Sequence, residues 1–469
     1  MNHSANSSTS NSIYKVPYVY EKLQAKKPME LQIAVSVPGS KSITNRALLL
    51  ATLADGVSTL CGVLFSDDSR HFLKCIQDMG FQTTVDEENC IITVQGMKGQ
   101  VPLKEASLYV GSAGTAARFL TAYLGVSEGI YHMDASEQMR KRPMAPLLES
   151  LKELGCEIIC EGEEGHFPFT LNGHGFCKDK ITINVDESSQ FLSALLIASS
   201  LSHKDFVTSM EGTHGMAYID MTVKMMEQFG VKTTPLYYCG GNADNHDCTG
   251  CINSSKPYAY QVKSGQSYQA LDYQIEPDVS AACYFYAMSP LLGIPVMVNH
   301  VHFASLQGDV EFIRVLEKMG CTAKDTKDGI LVLPPENGTY HGVTVDMSSF
   351  SDQAITLAAL APFADSPTTI TGIGHIRHQE SNRIAAIVTE LKKMGIHCEE
   401  TESSITVYPG SPKASVVETY DDHRMAMGFS LIGLRSPGIV IDNPGCCRKT
   451  FEEYFDVLDD ITCRLTGQL

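Results

Sequence analysis

The chain has 469 residues, of which 43% are hydrophobic and 19% are charged, an ordinary balance for a globular protein with room for more than one domain. A net charge of −18 argues against nucleic acid and against an anionic membrane surface as partners. There is neither an apolar run of roughly 20 residues to cross a bilayer nor the apolar core of a signal peptide, and 15 cysteines without framework spacing favour a reducing cytoplasm.

The N-terminal stretch is rich in Ser and Asn, and it predicts a flexible leader over residues 1–30. Residues 31–37 alternate in polarity, which is typical of a strand. From there the chain repeats the order strand, helix, strand, helix, hairpin. The second helix of each of the first five repeats ends at a glycine, and these glycines recur mostly at intervals of about 75 residues. They are Gly80, Gly155, Gly230, Gly320 and Gly395.

Each repeat contributes two predicted helices. In chain order the pairs cover 41–54 and 67–79, 114–124 and 142–154, 188–200 and 217–229, 279–292 and 308–319, 351–364 and 380–394, and 423–434 and 449–462. Several of these helices are apolar on most faces, and such a helix is buried. The sequence therefore predicts an α/β fold in which the helices lie inside and the sheets outside.

Three repeats are expected to form each of two domains, residues 38–275 and residues 31–37 plus 276–469. The sixth repeat lacks its hairpin, and the strand at 31–37 is expected to complete it. One glycine interval is about 15 residues too long, which indicates an insertion near 233–258. Its Cys and His side chains fit no standard zinc template, so free thiols in a loop are the favoured interpretation; they are Cys239, His246, Cys248 and Cys251.

Polar and cationic side chains collect at the predicted helix starts, where free N–H groups favour anions. Any one such cluster is usually structural, but a structural explanation does not account for all of them together. Asp352 and Glu380 lie among the cations and are suited to proton transfer. The cations suit two multiply charged anions, phosphates or carboxylates; they are Lys41, Arg46, Arg142, Arg383, Arg424 and Lys449.

Six motifs follow one another in an order that resembles the EPSP synthases, the 3-phosphoshikimate 1-carboxyvinyltransferases of the enolpyruvyl transferase family. They are Pro-Gly-Ser-Lys-Ser-x-x-Asn-Arg at 38–46, Ala-Gly-Thr at 113–115, Arg-Pro at 142–143, Ser-Ser-Gln at 188–190, Asp-His-Arg-Met-Ala-Met at 422–427 and Lys-Thr-Phe at 449–451. The resemblance runs from about residue 31 to residue 455 and is highly specific.

The resemblance implies a two-domain inside-out α/β barrel of six βαβαββ units, three per domain, which agrees with the repeats. It implies transfer of the enolpyruvyl group of phosphoenolpyruvate to the 5-hydroxyl of shikimate 3-phosphate, with release of phosphate. The reaction would proceed by addition and elimination through a tetrahedral intermediate, in the shikimate pathway to chorismate and the aromatic amino acids. No metal and no organic cofactor are implied. A monomeric cytoplasmic enzyme is expected, inhibited by glyphosate in competition with phosphoenolpyruvate.

The same resemblance implies roles for individual residues. Asp352 would take the proton of the 5-hydroxyl, and Glu380, with Lys41, would exchange a proton with the enolpyruvyl methylene. Shikimate 3-phosphate would contact Lys41, Ser42, Arg46, Ser188, Ser189, Gln190, Tyr218, Asp352 and Gln379. Phosphoenolpyruvate would contact Lys41, Gly114, Arg142, Gln190, Arg383, Arg424 and Lys449.

Three positions depart from the best-known members, which have Asn at Ser112, Lys at Gln379 and often Ser at Gly215. Two alternatives stay open. A UDP-N-acetylglucosamine enolpyruvyl transferase shares the fold and the donor, but typically has a reactive Cys on a mobile loop, and the loop from Arg140 to Pro143 has none. A catalytically silent homologue would keep the binding site alone, and Gln379 and Gly215 are its support.

Overall fold

The structure is a computed structural model that describes residues 13–24, 31–185, 188–212, 215–237 and 257–467. The cysteines and histidine of the predicted insertion lie outside these ranges. The chain divides into two compact units. The N-unit is Pro38–Val279 with Ala304–Gly308, and the C-unit is Met1–Val37, Ser280–Phe303 and Asp309–Leu469. Within the described ranges, none of the helices combines the length and apolarity that a membrane span requires.

The α-helices and strands follow the predicted order. The helices are α1 Tyr20–Gln24, α2 Lys41–Leu53, α3 Asp67–Asp78, α4 Gly114–Gly125, α5 Glu137–Arg140, α6 Ala145–Glu153, α7 Ser189–Ser199, α8 Met216–Gln228, α9 Val279–Leu292, α10 Glu311–Lys318, α11 Ala354–Leu360, α12 Arg383–Lys393, α13 His423–Arg435 and α14 Tyr454–Thr466. The strands are β1 Ile13–Lys15, β2 Ile33–Val35, β3 Asp55–Cys61, β4 Thr83–Asp86, β5 Ile91–Met97, β6 Glu105–Tyr109, β7 Gly129–Asp134, β8 Glu157–Cys160, β9 Phe169–Gly173, β10 Lys180–Asn184, β11 Phe206–Glu211, β12 Thr233–Leu236, β13 Ala259–Val262, β14 Asp272–Gln274, β15 Val296–Asn299, β16 Thr322–Thr326, β17 Gly329–Leu333, β18 Thr344–Asp346, β19 Thr368–Thr371, β20 Cys398–Glu400, β21 Ile405–Val407, β22 Ser415–Val417 and β23 Ile439–Asp442.

The strands form one sheet per repeat. Among the residues that the structure describes, five sheets have four strands, in the orders β14-β3-β5-β4, β6-β7-β9-β8, β10-β11-β13-β12, β2-β15-β17-β16 and β18-β19-β21-β20. In β6-β7-β9-β8 the first two strands are parallel and the other neighbours are antiparallel, which is the pattern of a βαβαββ unit. The remaining sheet, β22-β23-β1, has three strands.

The helices form the interior of both units. All twelve residues of α4 are buried, as is most of α2 and α13. Such a helix has no solvated face, so the sheets must cover it from outside. The predicted fold, an inside-out α/β barrel in each of two domains built from three units each, is confirmed.

The repeat glycines end their helices through backbone conformation. Gly80, Gly155, Gly230, Gly320 and Gly395 all have positive φ, between 79° and 108°. At Gly80 the backbone N–H donates to the carbonyl of Gln77, and the next N–H, of Phe81, donates to that of Ile76. This pair of bonds is a Schellman motif, which favours glycine because a side chain strains the left-handed backbone.

The N-terminal expectations are wrong in two respects. The strand at 31–37 does not complete the sixth repeat, because β2 pairs in parallel with β15 of the fourth, Ile33 opposite Val296. The fourth repeat needs this partner because β14, which precedes α9, pairs with β3 of the first repeat instead.

The predicted leader also contains ordered structure. Strand β1 pairs antiparallel with β23, Ile13 opposite Asp442, and it is this strand that joins the sixth sheet. The side chains of Val16, Val19 and Leu23 are buried, which holds residues 13–24 on the C-unit. The insertion is narrower than predicted as well, because β12 pairs with β13 from Thr233 to Leu236.

Candidate active site

The N-unit places Lys41 at the start of α2. Ser40 caps this helix, and its Oγ accepts a hydrogen bond from the backbone N–H of Ile43. The Lys41 Nζ lies 3.2 Å from a carboxylate oxygen of Asp68, a buried residue in the first turn of α3. A buried carboxylate thus fixes the ammonium group, a role that the sequence did not assign to Asp68.

Arg46 lies one turn further along α2 and is buried. Its Nε donates to Thr222 Oγ1 at 2.8 Å, its Nη1 to the Ser42 carbonyl at 3.0 Å and its Nη2 to the Tyr218 carbonyl at 3.3 Å. Burial lowers the pKa of this guanidinium to about 10, slightly opposed by Tyr218. The predicted residues Ser42, Arg46 and Tyr218 are therefore brought together, and Thr222 is an additional member.

Gly114 begins α4 and faces a group of polar side chains. A Cβ at this position would lie 3.0 Å from the Nη1 atoms of Arg118 and Arg142, and 3.2 Å from Gln190 Oε1. The predicted helix start at Arg142 is wrong, because α5 ends at Arg140 and α6 begins at Ala145. Arg142 thus reaches Gly114 from the turn between two helices.

Ser188 and Gly215 shape the starts of α7 and α8. Ser188 Oγ accepts from the backbone N–H of Gln190 at 3.3 Å, which caps α7. Gly215 has φ 67°, and a Cβ there would lie 2.4 Å from Ser189 Oγ. Backbone conformation and contact with Ser189 therefore explain why this chain has glycine at 215.

The C-unit brings Asp352 together with two arginines. Asp352 Oδ1 accepts from Arg383 Nη1 at 2.9 Å, and its Oδ2 lies 2.7 Å from Arg424 Nη2. Asp352 belongs to a 3-10 turn, Ser351–Gln353, that precedes α11. Gln379 Oε1 accepts a further hydrogen bond from Arg383. The residue that replaces the lysine of the best-known members therefore contacts the same guanidinium group.

Asp422 anchors Arg383 from the opposite side. It is fully buried, and its Oδ2 accepts from Arg383 Nε at 2.8 Å. Burial alone would raise the pKa of Asp422, but Arg383 outweighs it and lowers that pKa. Burial likewise lowers the pKa of Arg383, but the nearby carboxylates of Asp422 and Asp352 outweigh it, so that this pKa is raised overall. Asp422 was missed as a site residue, although its position directly before His423 and Arg424 was a usable signal.

Glu380 lies between a lysine and a histidine. Its Oε1 is 3.1 Å from Lys449 Nζ, and its Oε2 is 2.9 Å from His423 Nδ1. Neither Glu380 nor Lys449 begins an α-helix as predicted, since α12 starts at Arg383 and Lys449 ends the 3-10 helix Pro444–Lys449. Asn382 caps α12, because its side chain accepts from Ala385 N–H.

One cluster in the described part of the chain has the spacing of a metal site. Ligand atoms of Glu380, Asp422 and His423 lie within 4.8 Å of one another. Arg383 and Lys449 already form ion pairs with these two carboxylates. A bound metal ion would face both cations, so we interpret the cluster as an ion-pair network.

Asp422→Asn is expected to lower the free energy of unfolding by about 3–5 kcal/mol, because it removes one partner of a buried ion pair. The pKa of Asp422 is lowered by folding, so its contribution is complete above about pH 3.9 and is lost as the pH falls further. Urea unfolding at pH 7 and pH 3.5 checks both points. The neighbouring exposed Asp421→Asn is the control, and an equal loss in both variants contradicts the prediction.

Known proteins are similar to this chain over almost its whole length. A family model described as EPSP synthase (3-phosphoshikimate 1-carboxyvinyltransferase) matches residues 25–458. The chain belongs to the EPSP synthase family. It is 42% identical over 422 residues to the 3-phosphoshikimate 1-carboxyvinyltransferase of Trichormus variabilis, covering 90% of this chain and 94% of that protein. The chloroplastic enzyme of Arabidopsis thaliana is 36% identical over 92% of this chain and 83% of its own length.

A solved structure shows the same fold. The EPSP synthase of Acinetobacter baumannii matches with a TM-score of 0.73 and 24% identity, over 92% of this chain and 95% of that one.

Proposed function

We propose that the chain is a 3-phosphoshikimate 1-carboxyvinyltransferase that transfers the enolpyruvyl group of phosphoenolpyruvate to the 5-hydroxyl of shikimate 3-phosphate. Family membership supports the reaction. The observation that carries the mechanism is in the C-unit, where two carboxylates are each held by two basic side chains. Asp352 contacts Arg383 and Arg424, and Glu380 contacts Lys449 and His423.

Shikimate 3-phosphate is assigned to a set of hydroxyl, amide and cationic groups. Arg46 with Lys41 supplies charge for the phosphate, and Arg46 is already oriented by Thr222 and two backbone carbonyls. The proposed contacts are Lys41, Ser42, Arg46, Ser188, Ser189, Gln190, Tyr218, Asp352 and Gln379.

Phosphoenolpyruvate carries a carboxylate and a phosphate, and it is assigned to residues that are mostly cationic. Bidentate guanidinium groups suit both anions. Gly114 leaves space beside Arg142 and Gln190 that a side chain would occupy. The proposed contacts are Lys41, Gly114, Arg142, Gln190, Arg383, Arg424 and Lys449.

The proposed reaction has two steps. In the addition, Asp352 accepts the proton of the 5-hydroxyl, whose oxygen forms a bond to C2 of phosphoenolpyruvate while C3 gains a proton from Glu380. In the elimination, C3 returns a proton to Glu380, the bond from C2 to the phosphate oxygen breaks, and the phosphate leaves with the proton that Asp352 had accepted. Lys41 is the third proposed catalytic group. The surrounding cations stabilise the negative charge of both substrates and of the intermediate.

Release of inorganic phosphate from shikimate 3-phosphate and phosphoenolpyruvate tests the proposal. Phosphate release that depends on both substrates, with the carboxyvinyl ether as the second product, is expected. UDP-N-acetylglucosamine as acceptor tests the other enolpyruvyl transferase, and release with this acceptor alone would replace our assignment. Binding of both substrates without turnover would identify a silent homologue.

We also propose that the enzyme is a monomer of the cytoplasm. The net charge of −18 and the free thiols of the described cysteines support a reducing compartment and oppose self-association. Sedimentation equilibrium tests the oligomeric state, and a mass above 51.2 kDa at micromolar concentration contradicts the monomer.

Gly114→Ala is expected to raise the KM for phosphoenolpyruvate about tenfold and to change that for shikimate 3-phosphate less than about twofold. The added methyl would lie 3.0 Å from Arg142 Nη1 and 3.2 Å from Gln190 Oε1, where it displaces a ligand or these side chains. Alanine is favourable at a helical position, so the fold should persist. Steady-state kinetics in each substrate measure the effect, with Gly162→Ala as control, because an added Cβ there would meet no atom within 4 Å. Equal changes in both KM values would contradict the assignment of this pocket.

A further inference from the structure

Arg118 is a buried cation with few partners. It lies in α4, one turn after Gly114, and only 2% of its surface is exposed. Its Nη1 is 3.4 Å from the Gly114 carbonyl and 3.5 Å from Met139 Sδ, and its Nη2 is 3.3 Å from the Pro143 carbonyl. Its buried Nε has no hydrogen-bond partner among the described residues.

The charge of Arg118 is not neutralised within the described part of the chain. There, no carboxylate forms an ion pair with it, and its ring contact is with Phe191, 5.6 Å from the guanidinium carbon. Burial and the nearby Arg142 cation both lower the pKa of Arg118 well below its ordinary value. A buried charge that meets a like charge is costly, so Arg118 destabilises the protein without ligand.

The position of Arg118 indicates which charge compensates for it. Its Nη1 and that of Arg142 approach the same point beside Gly114, each at 3.0 Å. This point borders the site that the proposed function assigns to phosphoenolpyruvate. A trianionic substrate there would supply the negative charge that the protein does not.

We propose that Arg118 is a positioning residue for phosphoenolpyruvate. Arg118 raises the positive potential beside Gly114. It also donates hydrogen bonds to the Gly114 and Pro143 carbonyls, which fixes the backbone on both sides of this pocket. Being buried, it acts through Arg142 and the backbone and does not touch the substrate. This inference rests on the proposed function and adds a residue to the phosphoenolpyruvate site.

Stability and affinity should change in opposite directions if the proposal holds. Arg118→Met keeps an unbranched side chain but removes the guanidinium group and its charge. It should raise the KM for phosphoenolpyruvate about tenfold, leave that for shikimate 3-phosphate within about twofold, and raise the melting temperature by about 2 °C. Arg118→Lys, which keeps the charge, should restore the KM for phosphoenolpyruvate to within about threefold of wild type.

Arg140→Met is the matched control, because Arg140 is exposed and is paired with Asp134 at 2.8 Å. It should change neither KM. A lower melting temperature of Arg118→Met overturns the proposal, since it would show that Arg118 stabilises the ligand-free protein. An unchanged KM for phosphoenolpyruvate, or an equal rise in both KM values, overturns it as well.

Failure of the proposed function would be seen separately, as wild-type protein that releases no phosphate. Arg118 is then tested with inorganic phosphate as the probe. Phosphate should raise the melting temperature of the wild type more than that of Arg118→Met, and equal stabilisation of the two overturns the proposal.

Discussion

Asp352→Asn is expected to reduce kcat by about 10²–10⁴-fold, the usual contribution of a general base. An amide cannot accept the proton of the 5-hydroxyl. Its oxygen can still accept the hydrogen bond that Arg383 Nη1 donates to Asp352 Oδ1 in the wild type, at 2.9 Å. Shikimate 3-phosphate should bind within about threefold of wild type, because its phosphate is assigned to Lys41 and Arg46.

The measurements are phosphate release for turnover and calorimetric titration for shikimate 3-phosphate. Asp325→Asn is a suitable control, because Asp325 also accepts a hydrogen bond, from His302, on a strand of the C-unit. Its kcat should equal that of wild type. Turnover of Asp352→Asn within tenfold of wild type would remove Asp352 as the base.

Glu380→Gln is expected to lower kcat by a similar factor, about 10²–10⁴-fold. The carboxylate lies 3.1 Å from Lys449 Nζ and 2.9 Å from His423 Nδ1, and glutamine keeps its size but cannot take a proton from C3. Reaction in deuterium oxide gives a second readout, because protonation and deprotonation of the methylene place solvent deuterium in the product. The variant should incorporate deuterium more slowly than wild type.

Glu400→Gln is the control for Glu380, because Glu400 forms an ion pair with Arg377 on the outer side of the same unit. The double variant of Asp352 and Glu380 should be less impaired than the product of the two single effects, since groups that act in one reaction are not additive. Fast deuterium incorporation by Glu380→Gln would assign the C3 proton to another group.

The parts of the fold that were predictable depend on local properties. Gly80 and its equivalents end their helices because of their own backbone conformation, and α4 is buried because nearly every residue in it is small or apolar. Pairing between distant strands has no such local signal. Strands β1 and β2 are each only three residues long, so the strands with which they pair were not predictable from their composition.

In the candidate site, too, the locally determined features were predictable and the long-range contacts were not. The cations were visible because they recur at the beginnings of repeated segments, and the structure places Arg383 and Arg424 on one carboxylate as their clustering suggested. Their buried partners were not visible, because Asp68 and Asp422 resemble ordinary helix caps or first-turn acids. Arg118 follows the Ala-Gly-Thr motif by three residues, but its lack of an ion-pair partner among the described residues is a property of the folded chain.

The pairing of β1 with β23 has a consequence for biosynthesis. Ile13 is synthesised about 430 residues before its partner Asp442. At about 5–20 residues per second, the first strand waits roughly 20–90 seconds before it can join its sheet. The N-unit, whose last strand β14 is complete at Gln274, can form during that time. The C-unit then incorporates a strand that was synthesised well before its partner, and residues 13–15 are where a nascent-chain chaperone would have most effect.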